Sequence, residues 1–282
     1  MKKFSIYTSG LDKNAFTLAE VLITLGIIGI VAAMTLPTLL NKTRNKELHT
    51  AFLKTYSELN QVAGLFKADY GISVSEYTAQ ENDSVTGGEG IKPNIASQIF
   101  AYYKGSKNLT SSGQGTDDGD GNFIPWYNMN NLNGSSYSGG ANASGKNSSF
   151  MCDNSAFINN LSGALFILND APKPGQNGPV MCVDINGKKG PNRYGIDYFM
   201  FIFTIDGQVI PVGQKHKNNP AACNTNNGTC GNFNNIGAKY CSNTTSAMTQ
   251  NTSCAYYALT DTHPTKPGKN YWQDFLGEVY SR

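Results

Sequence analysis

Apolar residues along the chain fall into three regimes. Val21 to Leu40 is a run without a single charged side chain. At about 1.5 Å per residue a helix of that length spans roughly 30 Å, the thickness of a bilayer core. Beyond it, Leu48, Phe52, Tyr56, Leu59, Ala63 and Phe66 recur at steps of four, four, three, four and three. That spacing is one face of a helix, and Gly71 is its stop signal. One helix over about 16–70 is expected, apolar all round in its first half and amphipathic in its second. Pro37 removes a backbone hydrogen bond inside it and is expected to kink or loosen it.

From residue 161 the period shortens to that of strands. Ala164–Leu168 and Val180–Ile185 read as strands. Tyr198–Ile205 and Gln208–Val212 read as a hairpin closed by Asp206-Gly207, a two-residue turn with both φ values positive. Phe199, Phe201 and Phe203 share one face and suit packing on the 48–66 helix; Met200 and Ile202 share the other. Tyr271, Trp272, Phe275, Leu276 and Val279 form a helical stripe near the end of the chain. Between these regimes, Ile91–Lys104 is compatible with a helix or a strand pair. Residues 105–149 are Gly, Ser and Asn rich and read as a long polar surface loop. The fold class is therefore α+β: a long N-terminal helix on an antiparallel sheet, with a C-terminal region tied by disulfides.

Charge refines this picture at one place. Lys2, Lys3 and Lys13 against Asp12 give the first fifteen residues a formal +2, the net charge of the whole chain. Basic residues before an apolar run hold that end in the cytoplasm and send the C-terminus out. A secretory signal fits poorly, because the small residue Ala15 precedes the apolar run rather than following it. A plain anchor does not explain Glu20. A carboxylate within a membrane span costs about 2.5–3.5 kcal/mol at depth, and no Lys or Arg follows on the helix until Lys42. Its partner is expected from another molecule. A cut between Ala15 and Phe16 would create an amine at Phe16 that a neighbour's Glu20 can neutralise, fixing the axial register of a helical stack.

The segment Ala15-Phe16-Thr17-Leu18-Ala19-Glu20-Val21-Leu22-Ile23, with Gly26, Gly29 and Pro37 downstream, resembles the prepilin signal of type IV pilins and type II secretion pseudopilins. Ala15 stands where Gly is usual, and Ala19 where a large aliphatic residue is frequent. The resemblance implies that residues 1–15 are a leader removed by a prepilin peptidase on the cytoplasmic face. It also implies methylation of Phe16 and a role in assembly for Glu20. It divides the chain into the leader, a membrane and filament-core helix at 16–40, an amphipathic continuation at 41–71 and an extracytoplasmic globular domain at 72–282. The implied partners are the membrane, inner-membrane assembly machinery and other pilin or pseudopilin subunits, met through the N-terminal helix. The implied place is the inner membrane, followed by a periplasmic or extracellular filament.

The remaining chemistry is sparse. The six cysteines, Cys152, Cys182, Cys223, Cys230, Cys241 and Cys254, match no usual zinc spacing and suit disulfides in an exported chain. Cys223–Cys230 and Cys241–Cys254 as local loops, leaving Cys152–Cys182, is the preferred pairing among fifteen. Asp184, Asn186 and Asp197 offer oxygen to a hard cation such as calcium, and the resemblance includes relatives that bind it. Lys188, Lys189 and Arg193 oppose that electrostatically, and caps of a tight turn are the favoured reading. Asp117–Asn122 lacks the Gly and Glu of an EF-hand and reads as a solvated acidic loop. Lys215, His216 and Lys217, joined to Lys188, Lys189 and Arg193, would make a basic patch for nucleic acid, but the near-neutral chain favours a solvated surface. His49, His216 and His263 are scattered, and no nucleophile motif or phosphate loop occurs. No cofactor is expected. A filament subunit is the first reading, a filament-tip adhesin or DNA-uptake subunit the second. A membrane-anchored enzyme lacks a catalytic set.

Overall fold

The computed structural model describes residues 17–82, 91–108, 115–117, 123–125, 129–135, 152, 156–159, 161–169, 171–214, 216, 241–244 and 251–280. The chain divides into two units, Met1–Thr43 and Arg44–Arg282. The first contributes the start of helix α1, Leu18–Tyr70, which continues without interruption past Pro37. Its large apolar side chains, from Leu18 to Leu40, are exposed.

In the second unit the same helix turns amphipathic, as its sequence period requires. Leu48, Phe52, Leu59, Val62, Ala63 and Phe66 are buried, while Leu53 and Leu65 point to solvent. They pack on a six-stranded antiparallel sheet ordered β1-β4-β5-β6-β7-β8. Its strands are Ser106–Asn108 (β1), Ala156–Asn159 (β4), Leu165–Leu168 (β5), Val180–Asp184 (β6), Tyr198–Phe203 (β7) and Val209–Pro211 (β8). A separate hairpin pairs Gly115–Asp117 (β2) with Phe123–Pro125 (β3). Alternation along β7 sorts its side chains between two cores. Phe199, Phe201 and Phe203 join the cluster shared with α1, and Met200 and Ile202 join the opposite cluster with Cys182, Val180 and Ile210.

Helix α1 and strand β7 run in the same direction. Phe52 meets Phe199 at 4.7 Å between ring centroids, and Tyr56 meets Phe201 at 5.9 Å. Further along, Asn60 Oδ1 accepts from the Val209 amide at 2.9 Å, and Lys67 Nζ donates to the Asp206 carbonyl at 2.8 Å. The C-terminal elements close the first core: α4, Cys254–Thr260, a π-turn at Tyr271–Phe275, and α5, Leu276–Tyr280. Trp272 lies between His49 and Phe199, and its carbonyl accepts from Asn45 Nδ2 at 2.7 Å.

Several expectations change. The Asp206-Gly207 connection is wider than a two-residue turn. Gly207 takes φ 84°, Asp206 does not enter the positive region, and Thr204 N donates to the Gln208 carbonyl at 2.8 Å. Gly207 supplies the left-handed residue, so an Asp beside it has no need to take one. The segment 105–149 is not one surface loop: it holds β1, the β2–β3 hairpin and a turn at 129–135 whose Met129, Asn131 and Leu132 are fully buried. Ile91–Lys104 resolves to helix α3, Pro93–Phe100, with proline in the first turn where its missing N–H costs nothing. Helix α2, Val74–Glu81, has no strong apolar period. Its signal is the reciprocal cap between Ser73 and Glu76.

Candidate functional site

The head of α1 carries the residues singled out in the sequence. Thr17 caps the helix: its backbone N–H and its hydroxyl each donate to Glu20 Oε2 at 2.8 Å, and Glu20 N donates back to Thr17 Oγ1 at 3.2 Å. In the single chain Glu20 has Thr17 as a hydrogen-bond partner, one turn away. This happens because Thr-x-x-Glu is a capping box, a local pattern that needs no cation. The box satisfies hydrogen bonds and leaves the negative charge in place, so a cation still gains by meeting it. Ala15 and Phe16, the expected cut and methylation positions, lie outside the described residues. Around Pro37 the helix is unbroken. The hydroxyl of Thr35 donates to the Val31 carbonyl at 2.9 Å one turn earlier, which keeps a polar side chain satisfied on an apolar helix.

The second place of interest is the connection 185–197 between β6 and β7. Asp197 is fully buried: its Oδ1 accepts from the Arg193 amide at 2.7 Å and its Oδ2 from the Asn192 amide at 2.8 Å. Burial pushes its carboxyl up to about 6, against the pull of those two amides and of the Arg44 charge. Asp184, also buried, accepts from the Asn186 amide at 3.2 Å, and Asn186 Nδ2 donates to the Gly190 carbonyl at 3.1 Å. The three residues thus cap a tight turn, with both Asp197 oxygens engaged by backbone. Among the described residues no three His, Cys, Asp or Glu side chains converge. The turn closes on the C-terminal elements: the Tyr271 hydroxyl donates to the Gly195 carbonyl, and a side chain at Gly195 would meet Cys254 Sγ at 2.9 Å.

Disulfides tie these parts together. Cys152 is joined to Cys182 on β6, and Cys241 to Cys254 at the start of α4, with Cα separations of 5.8 and 4.8 Å. The expected Cys223–Cys230 pair lies outside the described residues. Two histidines that looked isolated in the sequence meet carboxylates: His216 Nε2 is 3.2 Å from Asp206, and His263 Nε2 is 3.4 Å from Glu278. Among the described residues His216 and Arg193 do not share one patch. His216 is beside Asp206, near Lys67, whereas Arg193 lies near Arg44, at the opposite end of the α1–β7 contact. Lys215 and Lys217 lie outside the described residues.

Residues 11–36 match the family model described as the prokaryotic N-terminal methylation motif, the prepilin-type signal of type IV pilins and pseudopilins. No curated protein and no solved structure matches the chain.

Proposed function

We propose, because residues 11–36 carry the prepilin-type signal of type IV pilins and pseudopilins, that the chain is a structural subunit (pilin, minor pilin or pseudopilin) of a type IV pilus or type II secretion filament. The observation that carries the reading is the form of α1. The signal leads into one unbroken helix, Leu18–Tyr70, whose apolar first half is exposed and whose second half is bound into a folded body. A surface of that kind is stable only in lipid or against like helices. In this reading a peptidase cuts between Ala15 and Phe16, the new amine is methylated, and the helix waits in the inner membrane with the body outside. During assembly Glu20 exchanges part of its Thr17 box for the Phe16 amine of a neighbour. The gain is electrostatic, since an ion pair in a low-dielectric helix bundle is worth more than hydrogen bonds to a neutral hydroxyl and amide.

The test is the N-terminal sequence and intact mass of the protein taken from membranes and from sheared filaments. Maturation predicts a chain beginning at methylated Phe16 in both fractions. A membrane form that retains residues 1–15, or a protein found only as a free monomer, would overturn it.

A further inference from the structure

Two turns of the body meet at its Arg44 end. Because α1 and β7 run together from Phe52 and Phe199 toward Lys67 and Asp206, the β6–β7 connection comes to the end where Arg44 begins the body. Arg44, Arg193 and Asp197 all act there on the Tyr280 phenol, and the Arg44 guanidinium lies 5.9 Å from the Tyr280 ring centre. The β4–β5 turn at 161–163 reaches the same end, because Leu165 is opposite Asp184 in register. The two turns touch: a side chain at Gly187 would run into the Gly163 carbonyl.

What these turns present is amphipathic. Leu161 is 82% exposed, more than any other large apolar side chain described. Beside it the 3-10 turn Gly187–Lys189 sets Lys188 and Lys189 outward. The acids of the same connection, Asp184 and Asp197, are buried, whereas its lysines Lys188 and Lys189 are exposed. The mount is fixed rather than loose. Gly187, Gly190 and Asn192 hold φ values of 60°, 64° and 53°, and the Arg193 guanidinium lies against Gly134, where a side chain would meet it at 2.8 Å. On α1 at this end, Lys46 and Glu47 are both exposed and offset each other. Arg44 follows Leu40, the last residue of the charge-free run, by four positions.

We propose that this end of the body is a membrane-surface contact for anionic phospholipid: Leu161 enters the interface, and Lys188 and Lys189 meet headgroup phosphates. An exposed leucine flanked by lysines is the chemistry that interfacial binding uses. Each cation at an anionic surface strengthens binding about fivefold, an effect that salt screens. The contact holds the body against the bilayer before assembly and is surrendered when the subunit leaves it. The proposal rests on the membrane reading of residues 18–40.

The test uses the full chain in nanodiscs of phosphatidylcholine alone or mixed with phosphatidylglycerol, with amide exchange read at 161–163 and 186–193. Exchange on the order of tenfold slower in the anionic discs, lost in high salt, in K188E/K189E and partly in Leu161→Ser, supports the contact. The milder K188Q/K189Q and unchanged exchange in β7 guard against misfolding of the variants. Equal exchange in both discs, with the chain co-eluting with them, overturns the contact and leaves the membrane reading standing. Protection that needs added duplex DNA and ignores lipid charge overturns it in favour of a nucleic-acid surface. A chain that does not enter the discs sinks the membrane reading and the contact with it.

Discussion

Phe52→Ala tests whether the second half of α1 is part of the body's core. Phe52 has no solvent exposure, and its ring meets Phe199, Phe201 and Trp272 at centroid distances of 4.7, 5.6 and 5.7 Å. Truncating a fully buried phenylalanine costs about 3–5 kcal/mol through lost transfer energy and the cavity left behind. The edge-to-face contact with Phe199 places the loss toward the upper part of that range. For a body of this size each kcal/mol is worth about 2–4 °C, so the midpoint should fall by about 6–20 °C. The assay is thermal unfolding of the full chain in detergent, followed by near-ultraviolet circular dichroism. Leu53→Ala, one position along and 42% exposed, is the internal control and should stay within about 0.5 kcal/mol of the parent. If Leu53→Ala cost as much as Phe52→Ala, the helix would present a different face to the sheet, and the packing described above would be wrong.

Other tests address the site and the ties. Glu20→Ala should leave the chain processed and membrane-bound but poor at forming filaments; abundant normal filaments would remove the case for the ion pair. Asp197 has a folded pKa raised from 3.8 to about 6, so the native state binds the proton more tightly, and stability should rise as pH falls from above 6 toward 4. Asp197→Asn should flatten that part of a stability–pH curve measured by denaturant titration, and an unchanged slope would assign the titration elsewhere. Replacing Cys241 and Cys254 together by serine should cost about 2–4 kcal/mol and loosen the Gly195–Tyr271 contact, visible as faster amide exchange at 193–197; unaltered stability would mean that packing alone holds α4.

Those parts of the fold whose cause is local or periodic are legible in the chain alone. Twenty uncharged residues in a row dictate a membrane-length helix wherever the rest of the chain goes. A four-and-three spacing dictates which face of α1 is buried, and alternation in β7 assigns Phe199 and Met200 to opposite cores. The prepilin-type signal is likewise a short contiguous pattern. Two further local signals are hydrogen-bonding pairs rather than apolar periods: Ser73 with Glu76 at the start of α2, and Thr17 with Glu20 at the head of α1. The remaining features emerge on packing, because they depend on residues far apart in the chain. Asp197 is a buried acid within the influence of the charge of Arg44, which is remote from it in the chain. Arg193 is separated from His216 by the length of the α1–β7 contact, and the turn of Leu161 meets the turn of Lys188 and Lys189 through a strand register about 20 residues away. Burial and proximity of that kind are properties of the packed chain, and no window of sequence contains them.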